Sequence, residues 1–489
     1  MEVPRITDKI EIPDLQEGVA AFYQPHEAMS EHMEALGFPG QLIENWQERT
    51  VAKLGELLKK YRSLRTFLDL CVKCGSCTDK CHYYLGTRDP KNMPVARQEL
   101  LRKIYRRYFT LGGKIYGGLA DAEDMTEEVL KDWYTYFHQC SQCRRCAVFC
   151  PLGIDTAEIS MAAREIMDTI GRGHRYVTEV IGKVYDLGNN LGIPEPALKN
   201  SLEFLEEDVK EETGVAVKFP LDIEGAEVFL VVPSADFFSE PHVASLIGYA
   251  KVFHQAGISW TLSSYASEFA NFGLFIGNYS AMQKVARRIA DAARSLKAKQ
   301  IVVGECGHAY RVAYSFWNTL VGPFDFLNSR YPAPRHICEV TKDLVAQGAL
   351  RLDKSANDES VVTFHDPCNV ARASRMGNRP GGQFEIPRAL IRASCNRFVD
   401  MAGSTIKEKT FCCGGGGGLL TYELMELRVK GAMPRVQALK AVMDRHQVDF
   451  LASICAICKA QFTAILPYYD LPMEMAGGVL QLVGNAIVL

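Results

Sequence analysis

The chain has 489 residues, 47% of them hydrophobic and 23% charged, with a formal net charge of −3. That length supports about two to four compact domains with sizeable cores. The near-neutral balance gives no footing for a nucleic-acid partner, and no uninterrupted apolar run reaches the roughly 18 residues that a membrane span needs.

The N-terminal "MEVPRITDKIEIPDLQEG" carries acids and prolines where a secretion signal has its apolar centre. The C-terminal "GGVLQLVGNAIVL" is apolar but too short to cross a bilayer. A soluble chain that docks on a membrane partner is the expectation. Residues 1–60 read as an N-terminal extension to which no role attaches.

Sixteen cysteines then dominate the chain. With no signal and a clustered distribution, thiolates binding metal in a reducing compartment are expected rather than disulfides. Cys71, Cys74, Cys77 and Cys81 form one run; Cys140, Cys143, Cys146 and Cys150 form another. Both have the spacing C-x2-C-x2-C-x3-C. Three thiolates at that interval wrap one corner of a cubane, and the fourth commonly ligates the other cluster. Zinc usually takes C-x2-C pairs, so two full runs favour iron–sulfur. The expected ligand sets are crossed: Cys71, Cys74 and Cys77 with Cys150, and Cys140, Cys143 and Cys146 with Cys81. Pro151 follows the second run as the motif prefers, whereas His82 follows the first.

Between the runs lie 58 residues (82–139), far more than a compact bacterial ferredoxin uses. "RQELLRKIYRRYF" repeats Leu100, Leu101, Ile104, Tyr105 and Tyr108 at helical spacing. Its basic face of Arg102, Lys103, Arg106 and Arg107 is either solvated or a surface for a membrane partner. "DTAEISMAAREIMDTIG" opens with a capping residue and aligns Ile159, Ala163, Ile166 and Ile170. Residues 61–180 therefore resemble the helical ferredoxin domains of succinate dehydrogenase and heterodisulfide reductase subunits.

After a linker at 181–222 the chain changes character. "AEVFLVVPS", "KQIVVGE", "SVVTFHDP" and "DFLASIC" are short β-branched runs. Helical stretches such as "SAMQKVARRIADAARSLKA" and "PRVQALKAVMDRHQ" separate them, which argues for parallel α/β units. The order repeats: Ile289 precedes Ile301 by 12 residues, and Leu439 precedes Leu451 by 12. Residues 223–340 and 341–489 read as duplicated units. Laying "WTLSSY" on "KTFCCG" sets Ser263 and Ser264 against Cys412 and Cys413, and Cys306 falls near Cys455.

The pattern C-x43-C-C-G…C-x2-C runs through Cys368, Cys412, Cys413, Cys455 and Cys458. It resembles the cysteine-rich CCG domain, found in heterodisulfide reductases and in the iron–sulfur subunits of glycolate and lactate oxidation systems. The resemblance implies a fold of α plus α/β type: a helical ferredoxin-type domain with two [4Fe–4S] cubanes, then two CCG units, the first degenerate. It also implies that the five cysteines hold one non-cubane [4Fe–4S] cluster, with the backbone of Gly414, Gly415 and Gly416 approaching it closely. Ser263, Ser264 and Ala309 put a second such cluster in doubt.

"DPCNVAR", "FCCGGGGGLLT" and "CAICKAQF", with "GECGHAYR" in the first unit, are most similar to DsrK-type subunits. These are the cytoplasmic iron–sulfur subunits of the sulfite-reduction-associated complex DsrMKJOP. That resemblance implies reduction, or the reverse, of a disulfide or trisulfide on a small sulfur-carrier protein (DsrC). Electrons would pass through the two cubanes from a membrane haem b or quinone-reactive subunit, with the chain peripheral on the inner face of the cell membrane. His308, His365 and Lys459 adjoin ligand or former-ligand positions and are the candidate proton donors. The alternatives are the electron-accepting subunit of a glycolate or lactate oxidase, a methanogen-type heterodisulfide reductase subunit, and a non-enzymatic electron-transfer or zinc scaffold. Cys306, Cys338 and Cys395 stand outside the ligand pattern.

Overall fold

The computed structural model describes residues 29–269, 271–322, 327 and 333–489; the stretch read for an export signal lies outside them. The chain divides into two compact units. The first takes the chain up to Gly182 with Phe272–Ser280 and Phe411–Gln437; the second takes Lys183–Asn271, Ala281–Thr410 and Ala438–Leu489.

The first unit is helical, with α1 (Trp46–Lys60), α2 (Pro94–Phe109), α3 (Glu127–His138) and α4 (Thr156–Thr169) around one core. Pro94 opens α2, where its missing N–H is no loss. The expected stripe is the one that packs: Leu101, Ile104 and Tyr105 are buried, and Leu100 and Tyr108 lie against the core. The Asp155 carboxylate caps α4 by accepting from the Ala157 N–H. Ile159, Ala163, Ile166 and Ile170 are fully buried. Two contributions come from outside the ferredoxin-like span. Trp46, Leu54 and Leu57 bring α1 into the core, and so do Leu419, Leu424 and Leu427, which follow the five glycines.

The basic face of α2 is not bare but paired. Arg102 is buried against Glu99, Lys103 pairs with Glu123, Arg106 with Asp121 and Arg107 with Asp124. The last three acids come from the following loop, so positions counted along one helix could not reveal them.

The second unit holds two parallel sheets. One has the order β2-β1-β3-β4, from β1 (Val228–Val231), β2 (Trp260–Thr261), β3 (Gln300–Val303) and β4 (Arg335–His336). The other has the order β5-β6-β7, from β5 (Val362–His365), β6 (Phe450–Ser453) and β7 (Ala476–Gly478). The duplication is visible in their register. Val228 stands opposite Trp260 and Gln300, and Val362 opposite Phe398 and Phe450. The four runs read as strands are β1, β3, β5 and β6. The stretch expected as a linker contains the helix Glu195–Thr213.

That register corrects one alignment. Trp260 corresponds to Phe398, not to Lys409, because the second repeat carries a longer loop between this strand position and its cysteine pair. Ser263 and Ser264 therefore do not stand where Cys412 and Cys413 do; the Ser264 hydroxyl donates to Asp222 instead. Counting back from the third strand could not detect that inserted loop.

The two repeats pack through α5 (His242–Ala256) and the C-terminal helix Val479–Ala486. They cross at glycines. A Cβ on Gly248 would lie 2.0 Å from the Leu480 carbonyl oxygen, and one on Gly484 would lie 2.6 Å from the Gly248 Cα. Gly248→Ala is thus expected to destabilise the second unit by about 3 kcal/mol through overpacking. Thermal unfolding checks this, and an unchanged melting temperature would refute the contact.

Candidate iron–sulfur sites

Two cavities in the first unit collect the two cysteine runs. Cys71, Cys74, Cys77 and Cys150 line one, with Cys146 also in its wall. Cys81, Cys140, Cys143 and Cys146 line the other. The second gathers three cysteines of one run and the fourth of the other, and the first does the same with Cys146 added. The loops share a backbone as well. Lys73 and Gly75 take positive φ (55° and 77°), as do Gln142 and Arg144 at the same steps of the second run (56° and 61°). Left-handed conformations at Lys, Gln and Arg cost free energy, and such strain is held where a site demands it.

The donor set suits a cationic guest. Burial pushes the Cys77 thiol up to about 11 and the Cys146 thiol well up. Thiolates in these walls need a metal to hold them deprotonated. Among the described residues, no three His, Cys, Asp or Glu side chains close on a single ion. A cubane is a larger body, and it asks its thiolates to stand around a cavity. These residues fit it.

The glycine run closes against the second cysteine loop. Gly417 has φ 72°, and a Cβ there would lie 2.7 Å from the Cys140 carbonyl oxygen. Gly414 has φ 94°; its N–H donates to the Cys412 sulfur at 3.4 Å, and its carbonyl accepts from the Tyr83 hydroxyl at 2.6 Å. One buried guanidinium ties these loops together. Arg164 Nη2 donates to the carbonyls of Phe137 and Cys140 at 2.7 Å, and Nη1 donates to that of Gly417 at 3.0 Å and to that of Phe275. Five glycines in a row are thus no linker. They are a strand of backbone that must lie against other backbone.

His82, where the motif prefers proline, has a structural reason. Its Nδ1 meets the Gly431 carbonyl and its Nε2 the Ser141 hydroxyl, both at 2.7 Å. Burial opposes its charge, but the sulfurs of Cys412 and Cys143 hold the imidazole well above its ordinary range. The charge of the ring is thus felt by both a cysteine of the ferredoxin runs and one of the CCG pair. The departure from proline was readable in the sequence; the contacts were not.

In the second unit, Cys368 opens α7 (Cys368–Ala373), which follows α6 (Gly307–Ser315); Cys455 caps α8 (Ala456–Ile465), and Cys458 lies in its first turn. The loop before Cys368 is fixed by Asp366, which accepts from both Arg388 Nη atoms at 2.7 and 2.8 Å and from the Lys407 N–H at 2.8 Å. Cys306 caps α6 as Cys455 caps α8, so the equivalence expected of these two cysteines holds in the fold. Ala309 then stands where Cys458 stands.

The sulfur environment is asymmetric. Burial raises the Cys455 thiol, yet Cys306, Cys458 and His308 together pull it well below the usual range. His308 Nδ1 lies 3.6 Å from its sulfur. Cys306 is held up in turn, by Cys455 first and then by burial. Lys459 is fully buried and paired with Glu305 at 3.2 Å, and it donates to the Ser245 hydroxyl at 2.7 Å. His365, on β5, packs edge-on to Phe462. Of the three candidate proton donors, His308, on α6, is the one placed beside the Cys455 sulfur. Cys338 lies buried in the helix after β4, and Cys395 caps the end of Gly382–Ser394 rather than lying within it.

Residues 67–154 match the 4Fe-4S dicluster domain family, and residues 362–463 the cysteine-rich domain family named CCG. The chain is 41% identical, over 479 residues, to the Hdr-like menaquinol oxidoreductase iron–sulfur subunit 2 of Archaeoglobus fulgidus; the alignment covers 92% of this chain and 85% of that one. The chain belongs to the Hdr-like iron–sulfur subunit family. The corresponding protein of Archaeoglobus profundus is 40% identical over 92% of this chain and 84% of its own. A subunit of the dihydromethanophenazine:CoB–CoM heterodisulfide reductase of Methanosarcina mazei is 25% identical, covering 80% of this chain and 87% of its own. No solved structure matches. This Hdr-like chain is thus an oxidoreductase subunit built from iron–sulfur domains, with a CCG match confined to its second repeat. Among its described residues no helix is long and apolar enough to cross a membrane.

Proposed function

We propose that this chain reduces, or in reverse forms, a sulfur–sulfur bond as the iron–sulfur catalytic subunit of a membrane-linked complex. The two cysteine-lined cavities would hold two [4Fe–4S] cubanes. Cys368, Cys412, Cys413, Cys455 and Cys458 would hold a non-cubane cluster, supported by the CCG match. When bound, such clusters take up and release electrons one at a time. The chain's own part is to place donors and charges around them. His82 is the observation that carries the reading: a ferredoxin cysteine, Cys143, and a CCG cysteine, Cys412, both act on this one buried ring inside one unit.

The relatives named for menaquinol oxidation point to a quinone-reactive membrane protein as electron donor. The chain would then sit on the inner face of the cell membrane through that partner. The DsrK-type motifs support the disulfide or trisulfide tail of a small sulfur-carrier protein as substrate. The five-part division of the sequence is proposed as its evolutionary modules.

Three clusters per chain require about twelve irons. Iron and acid-labile sulfide analysis should return that number. An EPR signal distinct from the cubanes should respond to oxidised thiol substrate and not to lactate or glycolate. A count near sixteen irons, or a response to the hydroxy acids alone, would contradict the assignment.

A further inference from the structure

Strand register places Ser234 where Cys368 stands, each directly after a proline at the end of its strand. The degenerate repeat has put a carboxyl against that position. The Ser234 N–H and hydroxyl both donate to Glu268 Oε1, at 2.8 and 2.7 Å. Two residues on, Asp236 is fully buried, with the Tyr249 hydroxyl as the group its carboxyl meets. Glu305 Oε2 pairs with Lys459 and accepts from Ser245 at 2.8 Å, while Oε1 accepts from the Leu480 N–H at 2.9 Å. Lys459, Glu305 and Glu268 all act on Asp236 in this interior. Tyr249, His242, Cys338 and Cys306 also face them, with Cys455 and Glu339 beyond.

A dry interior does not hold three carboxylates against one ammonium. With Glu305 paired to Lys459, neutrality leaves one proton on Asp236 and one on Glu268. Burial, the largest influence on both, raises Glu268 to about 7 and Asp236 well above the usual carboxylate range. His242 is kept neutral by the same burial, followed by the charge of Lys459.

We propose that Asp236 and Glu268 form a two-proton store that serves the reaction at the CCG centre. The proposal rests on the sulfur–sulfur reading above. Reduction follows RS–SR′ + 2 e⁻ + 2 H⁺ → RSH + R′SH. The S–S bond breaks, each sulfur gains one electron from the iron–sulfur domains and each thiolate takes one proton. The pocket holds as many protons as one turnover consumes, and bulk water reprotonates both carboxyls afterwards. Because the store is charged by protonation, its contribution is present at low pH and is lost as pH rises through the raised carboxyl values.

Infrared difference spectroscopy on the reconstituted holoprotein tests the store directly. Carboxylic-acid C=O bands should persist at neutral pH and vanish on alkalinisation, one missing in Glu268→Gln and the other in Asp236→Asn. With a cystine-containing peptide as substrate, either variant should lose about a hundredfold in kcat at unchanged KM. The loss should be steepest at alkaline pH, with a larger solvent deuterium isotope effect. Iron content and bleaching by dithionite should match wild type, and Glu268→Asp should recover part of the rate. Absence of the bands in a wild type that turns over the peptide overturns the store alone. Bands present in a wild type that turns over no disulfide overturn the functional reading, and proton delivery with it.

Discussion

Cys413→Ser is expected to abolish disulfide turnover while the EPR signals of both proposed cubanes keep their wild-type intensity. A neutral serine hydroxyl is a far poorer iron ligand than a thiolate. Cys413 is buried beside the glycine run. The loss should be at least a thousandfold, the scale on which removal of an essential group registers. Cys395→Ser is the control. That sulfur is buried at a helix end, against the Ser394 hydroxyl at 3.6 Å, and behaves as a small hydrophobe. Equal losses in the two variants would undo the ligand assignment, and so would loss of a cubane signal in Cys413→Ser.

Arg164→Met should unsettle the whole first unit. The side chain is fully buried and satisfies carbonyls of Phe137, His138, Cys140, Phe275 and Gly417. Methionine fills the volume and donates nothing, so these oxygens lose a charged donor in an interior that water does not reach. A loss on the order of 4 kcal/mol follows. It should appear as a fall of roughly 10 °C in the melting temperature, together with iron lost from the set that includes Cys140. Arg164→Lys keeps the charge but not the planar fork, so it should recover only part of the stability. A methionine variant with full iron content and unchanged melting would show that the loops hold themselves.

Much of the chemistry was legible as local pattern, because ligand spacing, helical stripes and caps are all encoded within a few residues. The two C-x2-C-x2-C-x3-C runs, the stripe of α2, the Asp155 cap of α4 and the four β-branched strands are of this kind. Tertiary structure decided what depends on partners far away in the chain. β2, β4 and β7 are two or three residues long and include "AGG", a sequence with no strand preference of its own; only pairing with a neighbour makes them strands. The acids that neutralise Lys103 and Arg106 of α2 lie in another segment, and the leucines after the glycine run enter a core built some 250 residues earlier (from Leu419 back to Ile170). Ser263 and Ser264 align with Cys412 and Cys413 in sequence but not in the fold, because an inserted loop shifts alignment without altering the pattern on either side. Arg164, Asp236 and Glu268 carry no motif at all, and His82 shows in the sequence only as a missing proline. Their roles come from burial and from what stands against them, and burial is a property of the folded chain.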